Sequence, residues 1–443
     1  MSDNAAGTTG IADVTDTARY ALDALTKAGA GKAACRTYRR RKDEFNVEAE
    51  GFTLLRTVFS DRLSLTAIKD GRKGETVVNG FDRDTVDAAV AECMALAAAA
   101  EPDEAHDVAG KGENKHFARG IGEPDMDALF SRTKELTETL AGEYPGIKVN
   151  GIITEFNGGA CAYVNSRGAA FTEETGFYEF ENWFSAVAGG KSSSFNSCYA
   201  ALSSLDRPFI DLDMHRTLLA ESVRSLDARV LEGKFVGKII VTPACRDMIW
   251  QTILGCFLSD APLIEGTSLW KDALGTAVAD RRLTFGTSPL NRLFARGERV
   301  TEDGFESRDL SFIKNGVLES FALSLYGANK TGKKPAANTA FENIEVAAGD
   351  VPLAEIIAGV ERGILVNRFS GAAPGPSGDV SGVAKNSFLI EGGRVTDPLK
   401  ETMISFNLPE ALRSISGISS ERACDGVTLL PWCCFDGITI SGK

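Results

Sequence analysis

The chain has 443 residues, 43% of them hydrophobic and 25% charged, and its 48 Lys and Arg against 61 Asp and Glu give a formal net charge of −13. That length allows two or three domains with large buried cores, and the composition is ordinary for a globular protein. The acidic balance opposes direct binding to nucleic acid, which needs Lys and Arg against phosphate. No apolar run approaches the roughly 18 residues of a membrane helix, and the start, "MSDNAAGTTG", lacks the basic and apolar regions of a secretory signal. Nine cysteines (35, 93, 161, 198, 245, 256, 424, 433 and 434) form no C-x-x-C pair and sit in apolar runs, as free thiols in a reducing compartment do. A cytoplasmic protein is the expectation. Only three histidines are available for acid, base or metal work: His106, His116 and His215.

Residues 1–10 read as a frayed tail. Apolar residues at helical spacing predict a helix over Ile11–Ala30, ending at Gly31. Ala33–Asn79 is strand-rich, with a hairpin turn at "KDGRKG" (69–74), where Asp-Gly separates alternating runs. The basic run "RTYRRRKDE" (36–44) reads as a hairpin edge kept from pairing by its charges rather than as a phosphate patch. An alanine-rich helix follows at 84–100. The stretch 101–123 has no periodicity and reads as a linker. An amphipathic helix at 126–143 leads into an antiparallel meander over 147–188, with turns expected at Asn-Gly-Gly and Ser-Arg-Gly. A long helix is predicted over 211–232, then a strand at 238–242. Beyond Gly266 the chain is mostly β, with hairpins at "KNGVLES" (314–320) and "EGGRVTD" (391–397) and a helix at 352–363. The fold class expected is α+β. It divides into an N-terminal α+β domain (11–120), a central helix and antiparallel meander (121–232) and a predominantly antiparallel β C-terminal domain (233–443).

Between the predicted strand "GKIIVTP" and the β-rich remainder stands "CRDMIWQTILGCFLSD" (245–260), a helix with almost no polar face. Met248, Ile249, Ile253, Leu254 and Phe257 are expected to pack inward. A zinc peptidase helix needs two imidazoles on one face and an adjacent carboxylate as general base, and this helix has neither. Asp211-x-Asp213-x-His215 has metal-like spacing but sits where Asp favours a helix start, so capping is the first reading. Cys433 and Cys434, adjacent in a strand, point to opposite faces and cannot easily share an ion, whereas Cys424 lies beside a turn. The Gly-rich "FSGAAPGPSGDVSG" (369–382) lacks the order of a phosphate loop but is long enough to be functional.

The order and spacing of several segments carry a resemblance. These are "LTAIKDGRKGETVVNGFDRDTVDAAVAEC" (65–93), "YVNSRGAAF" (163–171), "ESRDLSFIKNGVLESFALSLYGANKTG" (306–332), "ERGILVNRFSG" (361–371), "PSGDVSGVAKNSFLIEGGRVTDPLKETMISFNL" (376–408) and "CDGVTLLPWCCFDGITISG" (424–442). Together they resemble the TldD/PmbA family, once called modulators of DNA gyrase, and its PmbA (TldE) branch. The resemblance implies a heterodimer in which the TldD chain carries a His-Glu-x-x-x-His helix, binds zinc with a further ligand near its C-terminus, and cleaves unfolded or peptide-like substrates. It also implies that the PmbA chain lacks that motif. On this chain the two histidines would fall at Trp250 and Gly255 and the glutamate at Gln251, and Cys424 resembles the region of the C-terminal ligand. The implied role is a non-catalytic subunit with no cofactor of its own. Zinc is expected only in a TldD-like partner, though a second copy of this chain is an alternative partner. Extended peptide would be the substrate, with Ser377, Asp379 and Ser381 as groove candidates, and neither nucleic acid nor membrane is a partner. Two other readings stand beside it. One is an independent metal-dependent hydrolase using Asp211, Asp213, His215 and Cys424. The other is a gyrase-related binding modulator, which the charge opposes.

Overall fold

The computed structural model describes residues 10–48, 51–110, 114–336, 342–372 and 374–443, so the tail expected at 1–10 lies, but for Gly10, outside the described residues. The first helix, α1 (Ile11–Lys27), buries Val14, Ala18, Ala21 and Leu25, one residue per turn. Two long strands follow, β1 (Lys32–Glu48) and β2 (Gly51–Lys69). The turn at Asp70 and Gly71, both left-handed, leads from β2 into β3 (Arg72–Val78), where the Asp-Gly signal placed it. Helix α2 (Arg83–Ala99) starts at Asp82, whose carboxylate accepts from the Thr85 N–H at 3.0 Å.

The stretch read as a linker contains β4 (Lys115–Gly120), which pairs in parallel with β6 (Ala170–Ala188). Its six residues have too little apolar character to announce a strand; the partner strand defines it. Helix α3 (Met126–Glu143) has the predicted limits. Next come β5 (Ile147–Asn165), then β6, the short β7 (Lys191–Ser192) and β8 (Asn196–Leu202). Strands β5 and β6 form one long hairpin turning at Ser166–Arg167–Gly168. Asn157-Gly158-Gly159 is therefore not a turn. It lies inside β5, where a Cβ on Gly159 would stand 2.1 Å from the Arg39 carbonyl oxygen. Glycine is needed there for close approach of the backbones.

These strands form one sheet in the order β3-β2-β1-β5-β6-β4, with β7 and β8 on β6. The sheet runs across the division drawn at residue 120. It also corrects the reading of the basic run: β1 lies between β2 and β5, so residues 36–44 are interior to the sheet. Their charges are accommodated by pairing, as in Arg41 with Asp43 at 2.7 Å and Arg56 with the buried Glu44 at 3.0 Å.

The long helix expected at 211–232 is α4 (His215–Arg224) alone. Asp213 takes the left-handed conformation (φ 44°) and stops any earlier start, and a 3₁₀ turn at Ser225–Asp227 ends it. The chain then enters β9 (Arg229–Val230), whose partners are Leu399 and Lys400; tertiary pairing overrides helix propensity here. Neither aspartate caps the helix, because the N-cap is Met214 and no side chain bonds there.

The second sheet has twelve strands. They are β9, β10 (Lys234–Val241), β11 (Phe285–Thr287), β12 (Leu310–Lys314), β13 (Val317–Leu318), β14 (Ile344–Val346), β15 (Arg362–Gly371), β16 (Asp379–Glu391), β17 (Arg394–Lys400), β18 (Thr402–Asn407), β19 (Ile415–Cys424) and β20 (Leu429–Ser441). Pairing is mostly antiparallel, with parallel contacts at β10–β15, β14–β20 and β17–β9. The fold is α+β, with the strand-rich part at the C-terminal end. Both predicted hairpins are present, β12–β13 and β16–β17. Cys433 and Cys434 face two different hydrophobic clusters on opposite sides of β20. No helix is long and apolar enough to cross a membrane among the described residues.

Candidate functional site

Strand β10 runs out through Thr242, whose N–H still donates to the Val366 carbonyl at 3.1 Å, into Pro243. Proline suits a first helical turn, since its fixed φ is helical and it lacks an N–H that would have no partner there. The helix that follows, 243–258, is not a regular α-helix. A 3₁₀ turn at Pro243–Cys245 leads into π-helical segments at Asp247–Gln251 and Leu254–Leu258. π turns bond i to i+5 and bring residues five apart towards one face, and they are frequent at functional sites.

Met248, Ile249, Ile253, Leu254 and Phe257 are all buried in the core of the second sheet. Trp250 joins them at 3% exposure, stacked on Phe285 with ring centroids 5.3 Å apart. Gly255 is exposed and Gln251 half-buried. Trp250 and Gly255 therefore look to opposite sides of the helix. The residues five apart that share the half-buried side are Gln251 and Cys256, with Thr252 beside them.

The helix start is held by an ion pair. Arg246 Nη1 stands 2.5 Å from Asp425 Oδ2. Asp425 opens the turn between β19 and β20, and its Oδ1 accepts from the N–H groups of Val427 (2.9 Å) and Thr428 (2.6 Å). Its carbonyl accepts from the Ala201 N–H of β8 at 2.7 Å, which ties the first sheet to this turn. At Gly426 (φ 80°) a Cβ would come within 1.9 Å of the Ala201 carbonyl oxygen, so only glycine fits. Asp213 faces the same turn. Burial, then repulsion from Asp425, raises its carboxyl to about 7, with the Met214 N–H and Arg246 opposing.

The candidate metal ligands do not converge. Among the described residues no group of three or more His, Cys, Asp and Glu could hold an ion. Asp211 is on the surface, bonded to Arg216 Nε at 2.5 Å. His215 is a core residue: Nδ1 lies 3.0 Å from the Phe209 carbonyl and Nε2 lies 2.9 Å from Asn182 Nδ2. A carbonyl only accepts, so Nδ1 carries the proton and Nε2 accepts from the amide. Burial lowers its pKa to about 4. Cys424 Sγ is 3.8 Å from the Leu293 carbonyl, and burial pushes its thiol up to about 11. Cys256, the one soft donor on the helix's half-buried side, contacts the Pro374 carbonyl at 3.5 Å. These residues do not fit a zinc ion.

The Gly-rich loop lies on this helix. A cavity of about 260 Å³ between them is lined by Asp247, Met248, Thr252, Arg368, Phe369 and Pro374, among others. Gly378 (φ 78°) packs against Phe257 and Pro409. Ser377, Asp379 and Ser381 are exposed. Ser377 donates to Asp379 at 2.8 Å, and Asn407 Nδ2 donates to the second Asp379 oxygen at 3.0 Å, so these groups brace the loop. Asn407 first, then Ser377, holds the Asp379 carboxyl below its usual range.

A second cavity was not expected. About 440 Å³ lies between the first sheet and the Arg296–Gly297 loop, lined by Arg39, Arg40 and Arg41 of the basic run, Arg119 of β4 and Glu173 of β6. The alternation of Arg36, Tyr38 and Arg40 on one face of a strand was its only trace in the sequence.

A twelve-stranded sheet carrying a helix at the end of a parallel-paired strand, joined to an N-terminal sheet of very long hairpins, has known counterparts. Residues 233–442 match the family described as PmbA/TldA metallopeptidase C-terminal domain. The chain belongs to the PmbA/TldD family. It is 23% identical over 68% of its length to a protein named metalloprotease from Methanothermobacter thermautotrophicus, covering 72% of that protein. It is 21% identical to Metalloprotease PmbA of Escherichia coli O157:H7, covering 81% of each. Its fold superposes on TldE of Thermococcus kodakarensis with a TM-score of 0.82 and 19% identity, covering 97% of this chain and 100% of that one.

Proposed function

We propose that this chain is a non-catalytic subunit of the PmbA/TldE kind, working in the cytoplasm beside a TldD-type metallopeptidase and presenting extended peptide to it. The donor chemistry of the 243–258 helix carries the reading. Where a zinc peptidase needs two imidazoles and a carboxylate, the half-buried side offers an amide, a hydroxyl and a thiol, from Gln251, Thr252 and Cys256. We take Gln251 and Cys256, rather than Trp250 and Gly255, as the residues standing in the two ligand positions, because only that pair shares a side.

The long N-terminal hairpin supports a docking role. Strand β3 covers β2 only from Leu63 to Lys69, so the outer edge of Gly51–Arg62 has no neighbouring strand among the described residues. Leu55 (68%) and Phe59 (72%) are exposed along it. An open edge with apolar side chains is suited to adding a strand from a catalytic chain, a second copy or a peptide. The nine unpaired cysteines accord with a reducing compartment.

The test is reconstitution. This chain and a TldD-type chain, assayed with zinc on an unfolded peptide, are expected to show cleavage together that neither shows alone. A TldD-type chain that cleaves at the same rate without this one removes the proposal.

A further inference from the structure

The cleft over the first sheet is built around two arginines that the fold leaves without a carboxylate. Strand register sets them in one row. Arg40 on β1 lies opposite Gly159 on β5, Gly159 opposite Thr175 on β6, and Thr175 beside Arg119 on β4. Neighbouring strands are about 4.8 Å apart, so the two Cα atoms stand roughly 14 Å apart, within reach of two long side chains leaning inward. Glycine in the middle of the row leaves the space between them open.

The other arginines on the cleft wall are matched. Arg39 makes two bonds of 2.8 Å to Asp61, Arg41 pairs with Asp43 at 2.7 Å, and Arg296 bridges Glu179 (2.8 Å) and Glu342 (3.1 Å). Arg119 is different. Its Nη2 donates to the Gly297 carbonyl at 2.8 Å, but Nε and Nη1 are buried with no hydrogen-bond partner. Arg40 lies over the Tyr38 ring at 4.7 Å and makes no ion pair among the described residues. Burial, then repulsion from Arg299, lowers Arg119 to about 10 even with Glu173 pulling the other way, so it stays charged at neutral pH. Buried donors without acceptors are costly, and a site that retains them is matched to an acceptor from outside.

We infer that this cleft binds a carboxylate group, held between Arg119 and Arg40. A guanidinium fork matches the two oxygens of a carboxylate. Glu173, Glu179 and Glu342 line the same cleft, so a doubly charged phosphate would face three carboxylates, whereas a monoanion balances the uncompensated charge. The volume of about 440 Å³ exceeds a bare ion and admits a short stretch of peptide. The carboxylate is therefore a peptide's C-terminus or an acidic side chain. The inference rests on the cleft alone and does not need the subunit role proposed above.

Titration calorimetry on the full chain, without any partner, tests it. The probes are the tripeptide Ala-Ala-Ala, its C-terminal amide, acetyl-Ala-Glu-Ala-amide and inorganic phosphate. At least one carboxylate-bearing peptide is expected to bind. Its affinity should fall tenfold or more in Arg40→Ala, an exposed position whose loss leaves the fold intact by circular dichroism, and also in Arg119→Lys, which keeps the charge but loses the fork. A free terminus that binds where the acidic side chain does not identifies the C-terminus as the ligand, and the reverse identifies the side chain. The inference is overturned by absence of binding, by an amide that binds as tightly as the free acid, by phosphate binding more tightly than either carboxylate, or by unchanged affinity in Arg40→Ala.

Discussion

The 243–258 helix and the arginine cleft are opposites. The helix lies where the family's catalytic chains do their chemistry, yet almost every residue on it is spent on packing. Trp250 stacks on Phe285, and Phe257 lies 4.7 Å from Trp270, ring centre to ring centre. The cleft belongs to the part of the chain that read as scaffold, yet it holds orphaned donors and carboxylates in a row across four strands. A site that has given up its ligands becomes core, and its residues turn into contributors to stability. A site that binds keeps groups the fold would be more stable without.

Mutations should separate the two regions by the size of their effect on stability. The largest is expected for Trp250→Ala, which empties a buried aromatic position and should cost about 3–5 kcal/mol in urea unfolding. A loss under about 1 kcal/mol would mean that the helix is not core in this sense. Next is His215→Ala, which strands the Asn182 amide and the Phe209 carbonyl in the interior and should cost about 2–3 kcal/mol by the same measurement. Asp213→Asn acts through pH. The folded protein holds this carboxyl at about 7, above its usual value of 3.8, so it prefers the protonated form when folded. Its contribution is fully present below about pH 4 and is lost as pH rises through 7. Thermal melts of the parent should therefore weaken from pH 6 to 8. The asparagine variant should weaken less and be more stable at pH 8 by on the order of 1–2 kcal/mol. Glu221 and Glu298, also raised to about 7 chiefly by burial, keep part of the slope in both proteins. The smallest effect is expected for Arg40→Ala, within about 0.5 kcal/mol of the parent, because its side chain is exposed and makes no ion pair among the described residues.

What could be read in the sequence was what is local. Helices α1, α2 and α3 announce themselves by spacing, and the hairpins at 69–72, 314–317 and 391–394 by their Asn-Gly, Asp-Gly and Gly-Gly turns. Strand β4 and the early end of α4 could not be read, because both depend on partners far along the chain, β6 and Lys400. Asn157-Gly158-Gly159 misled for the same reason: the glycines answer to the backbone of β1 rather than to a turn. At the site, the missing imidazoles were plain from composition. The Arg246–Asp425 pair, 179 residues apart, and the meeting of Arg40 with Arg119 across four strands were not, since no window of sequence contains both members.

The two π turns of the 243–258 helix have a consequence for anyone counting along it. Each adds a residue to its turn, and a residue in an α-helix advances the chain by about 100°. After both, the far end lags a regular helix by roughly half a revolution. The segment works as a phase shifter: a helical wheel drawn at 3.6 residues per turn sends its last residues to the wrong side. Deleting one residue here would do more than shorten the helix. It would restore regular winding and swing everything after the deletion, including Phe257 and the loop contact at Cys256, away from its present neighbours.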